Sequence, residues 1–597
     1  MHQVTTMAAT KWNLDILVRS TDEKMIQSEL DDMVRDAEAF ASKYRGRIAE
    51  MSPARLGQML DEKDEMFVKH ESATKYCSLR YAANTSDPVA AALNNALIKA
   101  GTEAGQHMTF LDIELGSRLL SQPDLLQDPT LARYRHYLER MARAAPHNLT
   151  EVEEKLILAK DQYGIVKWSK LQQKWLSTRT FKLTIDGKEK ELALGEMMAY
   201  ANDVDREVRK QTYQELGRVI SQSDAIWADA LNSICGDHLQ MSKWRRFDGP
   251  ISSSLLFNDV SDDAIQAMMR AVEKHVPLCK EYYELKAKLL KIDRCGDWDM
   301  LAPLPTSNRK YSWDESREIM LRSYDRFDPA WGRWVDSMFA NERIDAEVRK
   351  GKRTGAFCDD WYAGKGAFVL LSYNGNLNDL YTEAHELGHS VHAHLCVNAQ
   401  NLSNCQISFC VAECASIFGE LLLTDMLVQE AKSDDERAAA LASVLDTFTY
   451  ILFHVGARYQ FEDSVYQAIQ AGEAPDAKKL CQMWTSARSR MMGDSMIWLP
   501  ESDWTWARVP HYFMAGLRFY NYPYIFAQLF VFSLYRLYKE QGKDFVPKMN
   551  KLLSDGSSMS AADLAKQLGF NIEEEEFWVK GIEQAEEMVH TVKKTMH

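Results

Sequence analysis

The sequence predicts a mainly α-helical fold with two short pieces of β-structure. Three observations carry that expectation. Apolar residues recur three and four positions apart along most of the chain, with charged faces between them. Only two stretches read as strands. The bulk composition, 46% hydrophobic and 26% charged, is that of a globular protein.

The elements follow in order. Residues 22–49, 89–120 and 151–175 have helical periodicity. "TFKLTIDGKEKELAL" (180–194) alternates around Asp186-Gly187, a hairpin signal. Helices are predicted again over 204–241 and 261–291. A glycine-punctuated stretch, "GKRTGAFCDDWYAGKG" (351–366), matches neither a phosphate loop nor a dinucleotide fingerprint. It reads as a surface loop or as the wall of a cleft. "GAFVLLSYNG" (366–375) is an apolar run ending in Asn-Gly, a strand. Helices over 409–431, 434–470 and 524–541 complete the pattern.

A chain of 597 residues is too long for one simple core, so two or more subdomains are expected. A boundary near residue 200 separates an N-terminal helical lobe (1–200, with the hairpin near 180–194) from a catalytic domain (201–597) that holds every chemical signal. The formal charge is −15, from 86 acidic and 71 basic residues. That balance argues against nucleic acid or an anionic membrane as the main partner. The first fifteen residues have no basic segment followed by an apolar one, so no secretory leader is expected. "PYIFAQLFVFSLY" (523–535) is too short to span a bilayer and contains Gln528. Ten scattered cysteines without a C-x-x-C pair predict a reducing, cytoplasmic setting.

The chemistry centres on "YTEAHELGHSVHAH" (381–394). His385-Glu386-Leu387-Gly388-His389 fits H-E-x-x-H. On a helix, positions i and i+4 share a face, so both imidazoles reach one ion. Glu386 sits about 100° round, beside the ion, where it can take a proton from a bound water. Chance produces the pattern roughly 0.03 times in such a chain, so coincidence is a poor explanation.

The third ligand sets the class. A metzincin-like site needs Gly at 392 and His at 395, but the chain has His392 and Leu395. His392 lies seven residues, about 10.5 Å, beyond His385, too far for one ion with bonds near 2 Å. It reads as a cleft residue, and His394 as structural. Residues 390–412 contain no Asp or Glu; the first is Glu413, in the apolar run "SFCVAECASIFGELLL". A buried carboxylate needs a compensating charge, and a metal supplies it. Glu420, seven residues on, is placed to accept a hydrogen bond from a ligand histidine. His385, His389, Glu413 and one water make a catalytic rather than a structural zinc arrangement. Glu386 is the base, and the reaction is metal-assisted amide hydrolysis. Such ligands also hold cobalt or manganese.

A second cluster, "RVPHYFMAGLRFYNYPYIFA" (508–527), holds His511, Tyr512, Tyr520, Tyr522 and Tyr524. Protonated tyrosines can donate to an oxyanion.

Together the two clusters resemble the oligoendopeptidase F family, relatives of thimet oligopeptidase. The likeness rests on "HELGH", "FCVAECAS" and "HYFMAGLRFYNYPY", and extends to "GKRTGAF" with "FVLLSYNGNLNDLYTEAHELGH" and to the N-terminal "WNLDILVRSTD". It covers nearly the whole chain. The resemblance implies a mainly α, two-lobed metallopeptidase with a small β-sheet next to the zinc helix and a deep channel that admits unfolded oligopeptides. It implies one catalytic Zn2+. It also implies that the strand at 367–373 pairs with the substrate backbone. His511 and Tyr522, and less directly Tyr520, carry over as oxyanion or substrate stabilisers. Ala515 and Gly516 stand where thimet-type relatives have a further tyrosine.

The expected activity is therefore a zinc endopeptidase acting on oligopeptides, with no nucleic-acid or membrane partner. A carboxypeptidase or dipeptidyl carboxypeptidase on the same architecture is the nearest alternative. It needs a basic group for the terminal carboxylate, and Arg508, Arg518 and Lys365 are candidates. A peptide-binding relative without turnover is the third reading.

Overall fold

The computed structural model describes residues 10–304 and 309–595. Residues 1–9, which make up most of the stretch where no leader is expected, lie outside the described residues. The chain forms two compact units, each built from three stretches: 1–148, 309–426 and 537–569 in the first, and 149–308, 427–536 and 570–597 in the second. Both are mostly helical.

The second unit contains the hairpin. β1 (Phe181–Ile185) pairs antiparallel with β2 (Lys188–Leu192), from Phe181 opposite Leu192 to Ile185 opposite Lys188. Asp186 and Gly187 form the two-residue turn, both at positive φ (52° and 74°), as a tight hairpin requires. The predicted helix over 261–291 is divided at His275, where Pro277 supplies the first turn of a new helix, Val276–Leu289, and cannot donate to the old one. The run Asp434–Gln470 contains one window apolar enough to cross a bilayer, but 72% of that window is buried within the protein. It is read as a core helix.

The first unit carries the histidine motif. Its sheet has three strands: β3 (Ile344–Asp345), β4 (Phe357–Trp361) and β5 (Gly366–Leu370). The order is β3-β5-β4, with β3 parallel and β4 antiparallel to β5. The strand expected to receive a peptide is therefore central, flanked on both sides. β4 stands at the edge instead. It is made from the glycine-punctuated stretch, which folds into a strand and the turn that returns to β5. β3 has no signal in the sequence, because two residues show no alternation.

The helix Pro53–Ala83 has no counterpart among the predicted elements. Its inner face carries Lys63, Asp64 and His70, all buried, which blurs the apolar stripe. Their use is specific. Asp64 accepts from Ser403 Oγ at 2.7 Å, and Lys63 donates to the same hydroxyl at 2.9 Å. The turn that follows the motif helix is held there.

The motif helix runs Leu377–Ala399. Asn376 caps it by accepting from Asp379 N, and Asp379 Oδ2 in return accepts from Asn374 N and Asn376 N. Leu380, Ala384, Leu387 and Val391 are at most 1% exposed and form the core-facing stripe. Each such leucine stabilises the packed state by about 1.5–3 kcal/mol. His385 and His389 lie on the opposite, half-buried face.

Candidate metal centre

Three ligand atoms meet off that half-buried face. His385 Nε2 and His389 Nε2 are 3.2 Å apart, and Glu413 Oε2 is 3.2 Å from each. An ion bonded to two atoms at about 2.0–2.1 Å with a tetrahedral angle separates them by about 3.3 Å. The triangle therefore fits one tetrahedral ion, with a fourth position left for another ligand. Among the described residues this is the one group of three His, Cys, Asp or Glu side chains so disposed.

The hydrogen bonds fix the tautomer. His385 Nδ1 lies 2.6 Å from Glu420 Oε1, so Nδ1 donates to the carboxylate and Nε2 turns a lone pair towards the triangle. Ser416 Oγ donates to Glu413 Oε2 at 2.6 Å and orients that carboxylate. Two imidazole lone pairs and a carboxylate oxygen converging on one point constitute a cation site. In the bare protein, burial works against the His385 charge, but the carboxylates of Glu413 and Glu420 outweigh it and raise the imidazole well above its ordinary range. Burial likewise opposes the charge of Glu413, and the two histidines overcome it and hold that carboxyl low.

Glu413 does not lie within the continuous helix that the sequence predicts over 409–431. It stands in a turn between Phe409–Ala412 and Ser416–Glu430. The reason is tertiary. A Cβ at Gly388 would come within 2.3 Å of Ala415 O, and one at Gly419 within 3.0 Å of Ala384 O. The two glycines let the chain of 413–419 approach the motif helix closely. Nothing local in 409–431 signals the break; the glycine in H-E-L-G-H was the available clue.

Glu386 is 6% exposed and its Oε2 has no protein partner. Burial raises its carboxyl above the ordinary range, against the pull of His385 and His389. It opens on a cavity of about 470 Å3 lined also by the three ligand residues, His392 and the edge strand β4. His392 is buried there, bonded to the Ala412 backbone and neutral, its pKa pushed down to about 4 by burial. His394 stacks on Trp334 at 3.8 Å, away from the triangle.

In the second unit, the tyrosine-rich segment brings three rings together. His511 stacks on Tyr520 at 5.3 Å, and its Nε2 lies 3.2 Å from Tyr524 Oη. Burial, with help from Arg458, lowers His511 to about 4, so it is neutral. Tyr524 is 38% exposed. Tyr522, by contrast, is fully buried, and its hydroxyl is engaged with Asn258 Nδ2 at 3.1 Å and with Ser254 O at 3.1 Å. The structure thus groups His511 with Tyr520 and Tyr524, and sets Tyr522 into the interior.

The profile of peptidase family M3 matches residues 199–584, and that of oligopeptidase F matches 123–181. Oligopeptidase PepF of Bacillus subtilis is 24% identical over 567 residues, spanning 93% of this chain and 84% of its own. Group B oligopeptidase PepB of Streptococcus agalactiae is 27% identical over 412 residues, 68% of this chain and 66% of its own. Among solved structures, a putative peptidase from Chlamydophila abortus superposes with a TM-score of 0.86 at 22% identity, covering 98% of both chains. Oligoendopeptidase-F from Enterococcus faecium gives 0.67 at 18% identity, covering 96% of this chain and 99% of its own. At those identities the two structures speak for the fold.

Proposed function

Because the chain belongs to peptidase family M3, we propose that it is a zinc-dependent endopeptidase that hydrolyses internal bonds of short, unfolded oligopeptides in the cytoplasm. The observation that carries this reading is the 3.2 Å triangle of His385, His389 and Glu413 with an unpartnered Glu386 oxygen beside it. The names of the relatives, oligopeptidase and oligoendopeptidase, support the substrate class.

When bound, zinc would lower the pKa of a water and polarise the scissile carbonyl. The chain's own groups do the rest. Glu386 takes the water's proton, and its burial keeps that carboxylate basic enough to hold the proton and then deliver it to the departing amine nitrogen. Glu420 keeps His385 in the tautomer that presents Nε2. Ser416 holds Glu413 in place. The edge of β4 is where an extended peptide would add as a further strand. The resemblance carries over His511 and Tyr520, and the 3.2 Å contact of His511 Nε2 with the Tyr524 hydroxyl adds Tyr524; we assign the three as hydroxyl and imidazole donors to the developing oxyanion. Tyr522 is left out of that role, because its hydroxyl is already engaged.

Digestion of a ten-residue peptide followed by mass spectrometry tests the reading. Internal cuts that stop on chelation are expected, and sequential trimming from one end would sink the endopeptidase claim. Glu386→Gln should keep zinc by elemental analysis and lose at least about 100-fold in kcat. A variant that cleaves at the wild-type rate removes Glu386 as the base.

A further inference from the structure

The second unit contains a cavity of about 250 Å3 that the peptidase reading leaves unused. One wall is aromatic. The His454 ring stacks on Tyr450 at 4.9 Å and lies 16° from the plane of Trp498 at 6.4 Å. Burial, together with the nearby Arg458, Arg508 and Arg488, holds His454 neutral. The wall is thus flat and uncharged, suited to an apolar or aromatic group.

The charged groups around it are unusual. Arg508 lines the cavity, is half-buried, and has no carboxylate within ion-pair distance among the described residues. Its Nη1 reaches only Met198 Sδ at 3.8 Å, and its Nε has no protein partner. Arg458 donates to the Tyr450 hydroxyl and likewise has no acidic partner there. Arg488 is paired with Asp503. Asp297, 1% exposed, also lines the cavity. Its Oδ2 accepts from Ser502, but its Oδ1 has no protein partner. Three guanidinium groups against two carboxylates leave one net positive charge around an apolar slot. A buried acceptor and a guanidinium N–H both stand without protein partners. Buried polar atoms are nearly always satisfied, so both call for an occupant.

We propose that this cavity binds the C-terminal residue of a short peptide, taking its free carboxylate on Arg508, its N–H on Asp297 Oδ1 and an aromatic or large apolar side chain against His454 and Trp498. The size fits. At about 250 Å3 the space is below the ~300–1,000 Å3 of sites for drug-sized ligands and suits a single residue. The charge fits a monoanion, and a guanidinium matches a carboxylate in a two-point hydrogen bond. Tyr213 adds a donor, since burial pushes its hydroxyl up to about 12 and keeps it protonated. The same stretch of chain, three residues further on, carries His511. The identity of the ligand as a peptide end rests on the peptidase reading; the carboxylate recognition does not.

The test uses the Glu386→Gln protein with its metal, so that nothing is cleaved. N-acetyl-L-phenylalanine and its amide are titrated by calorimetry and by saturation-transfer NMR. The acid should bind at least tenfold more tightly than the amide. Arg508→Met should abolish that difference, and Met198→Trp, which fills the slot from its rim, should weaken both probes at least tenfold. Equal binding of acid and amide overturns the proposal. So does acid binding that survives both substitutions within twofold, or that disappears with a chelator and not with Arg508→Met. Peptide turnover by the wild type is measured separately. A protein that binds the acid but cleaves nothing keeps this inference and loses the peptidase reading, and one that cleaves without binding does the reverse.

Discussion

Gly388→Ala places one methyl group where the site is tightest. The new Cβ would lie 2.3 Å from Ala415 O, 2.5 Å from Ser416 Cα and 2.7 Å from Ala415 C. These are backbone atoms, so no rotamer change relieves the clash. Reaching an ordinary contact of about 3.4 Å means a retreat of about 1 Å by the turn that carries Glu413. Glu413 Oε2 then moves from 3.2 Å to about 4 Å from the two imidazole nitrogens. With bonds of about 2.0–2.1 Å, an ion meets both partners of such a pair only by lying on the line between them. Two effects oppose each other in the apo protein. Alanine is the better helix former by about 1 kcal/mol, whereas overpacking costs about 1–3 kcal/mol. The apo protein therefore loses about 0–2 kcal/mol, and the metal bears the larger share of the damage. Zinc affinity should fall at least about 100-fold, roughly 3 kcal/mol at 1.4 kcal/mol per tenfold. Competition with a chromophoric chelator reads the affinity, and elemental analysis after gel filtration reads the occupancy. Thermal melts with and without zinc separate the two contributions, since the zinc-dependent stabilisation should shrink by about 2.7 kcal/mol. If the variant keeps full zinc and its apo form melts higher than wild type, helix propensity has won and the reasoning fails.

Further tests bear on other parts of the molecule. Glu420→Ala removes the acceptor 2.6 Å from His385 Nδ1 and should weaken zinc about 10- to 100-fold, and unchanged affinity in chelator competition would deny Glu420 its orienting role. Tyr524→Phe should lower kcat about 100- to 1,000-fold with little change in KM or melting temperature. Tyr522→Phe should do the opposite, costing about 1–2 kcal/mol of stability and sparing kcat, because it leaves Asn258 short of a partner; the reverse pattern restores Tyr522 as the oxyanion donor. Asp297 has its carboxyl pushed up to about 6 in the folded protein, chiefly by burial, against about 3.9 unfolded. The folded state thus binds the proton more tightly, so stability falls by about 2–3 kcal/mol as pH rises from about 4 through 6. Asp297→Asn removes that slope. In urea titrations it should match wild type near pH 4 and be more stable at pH 7.5, and an equal difference at both pH values rules out the buried charge as the cause.

How far the site could be read in advance depends on the range of the forces that shape it. The motif helix is local. Its cap, its apolar stripe at 380, 384, 387 and 391, and the i, i+4 histidines are all set by neighbours in sequence. Glu413 was reachable by elimination, because 23 residues without a carboxylate end in one set within an apolar run. The turn that holds it was not. Residues 409–431 have uninterrupted helical character, and the break comes from a close approach to Gly388, whose cause lies on another element. The same holds for the sheet. β5 was legible as an apolar run, but whether it is an edge or a centre is decided by β3, a strand of two residues.

In the tyrosine-rich segment the deciding information is local. Tyr520, Tyr522 and Tyr524 recur by two, which reads as a loop and leaves their directions open. The helix, however, begins at Tyr522. From that residue on, two positions are about 200° of rotation. Tyr522 and Tyr524 must then point to nearly opposite sides, and only one of them can face the same neighbour as His511. Burial decides which: Tyr522 packs its hydroxyl among Ser254 and Asn258, and Tyr524 turns to His511. Proline at 523 marks the first turn of the helix, so the start was written in the chain. Placing the helix boundary two residues earlier, at the residue before that proline, would have separated the two tyrosines without any tertiary information.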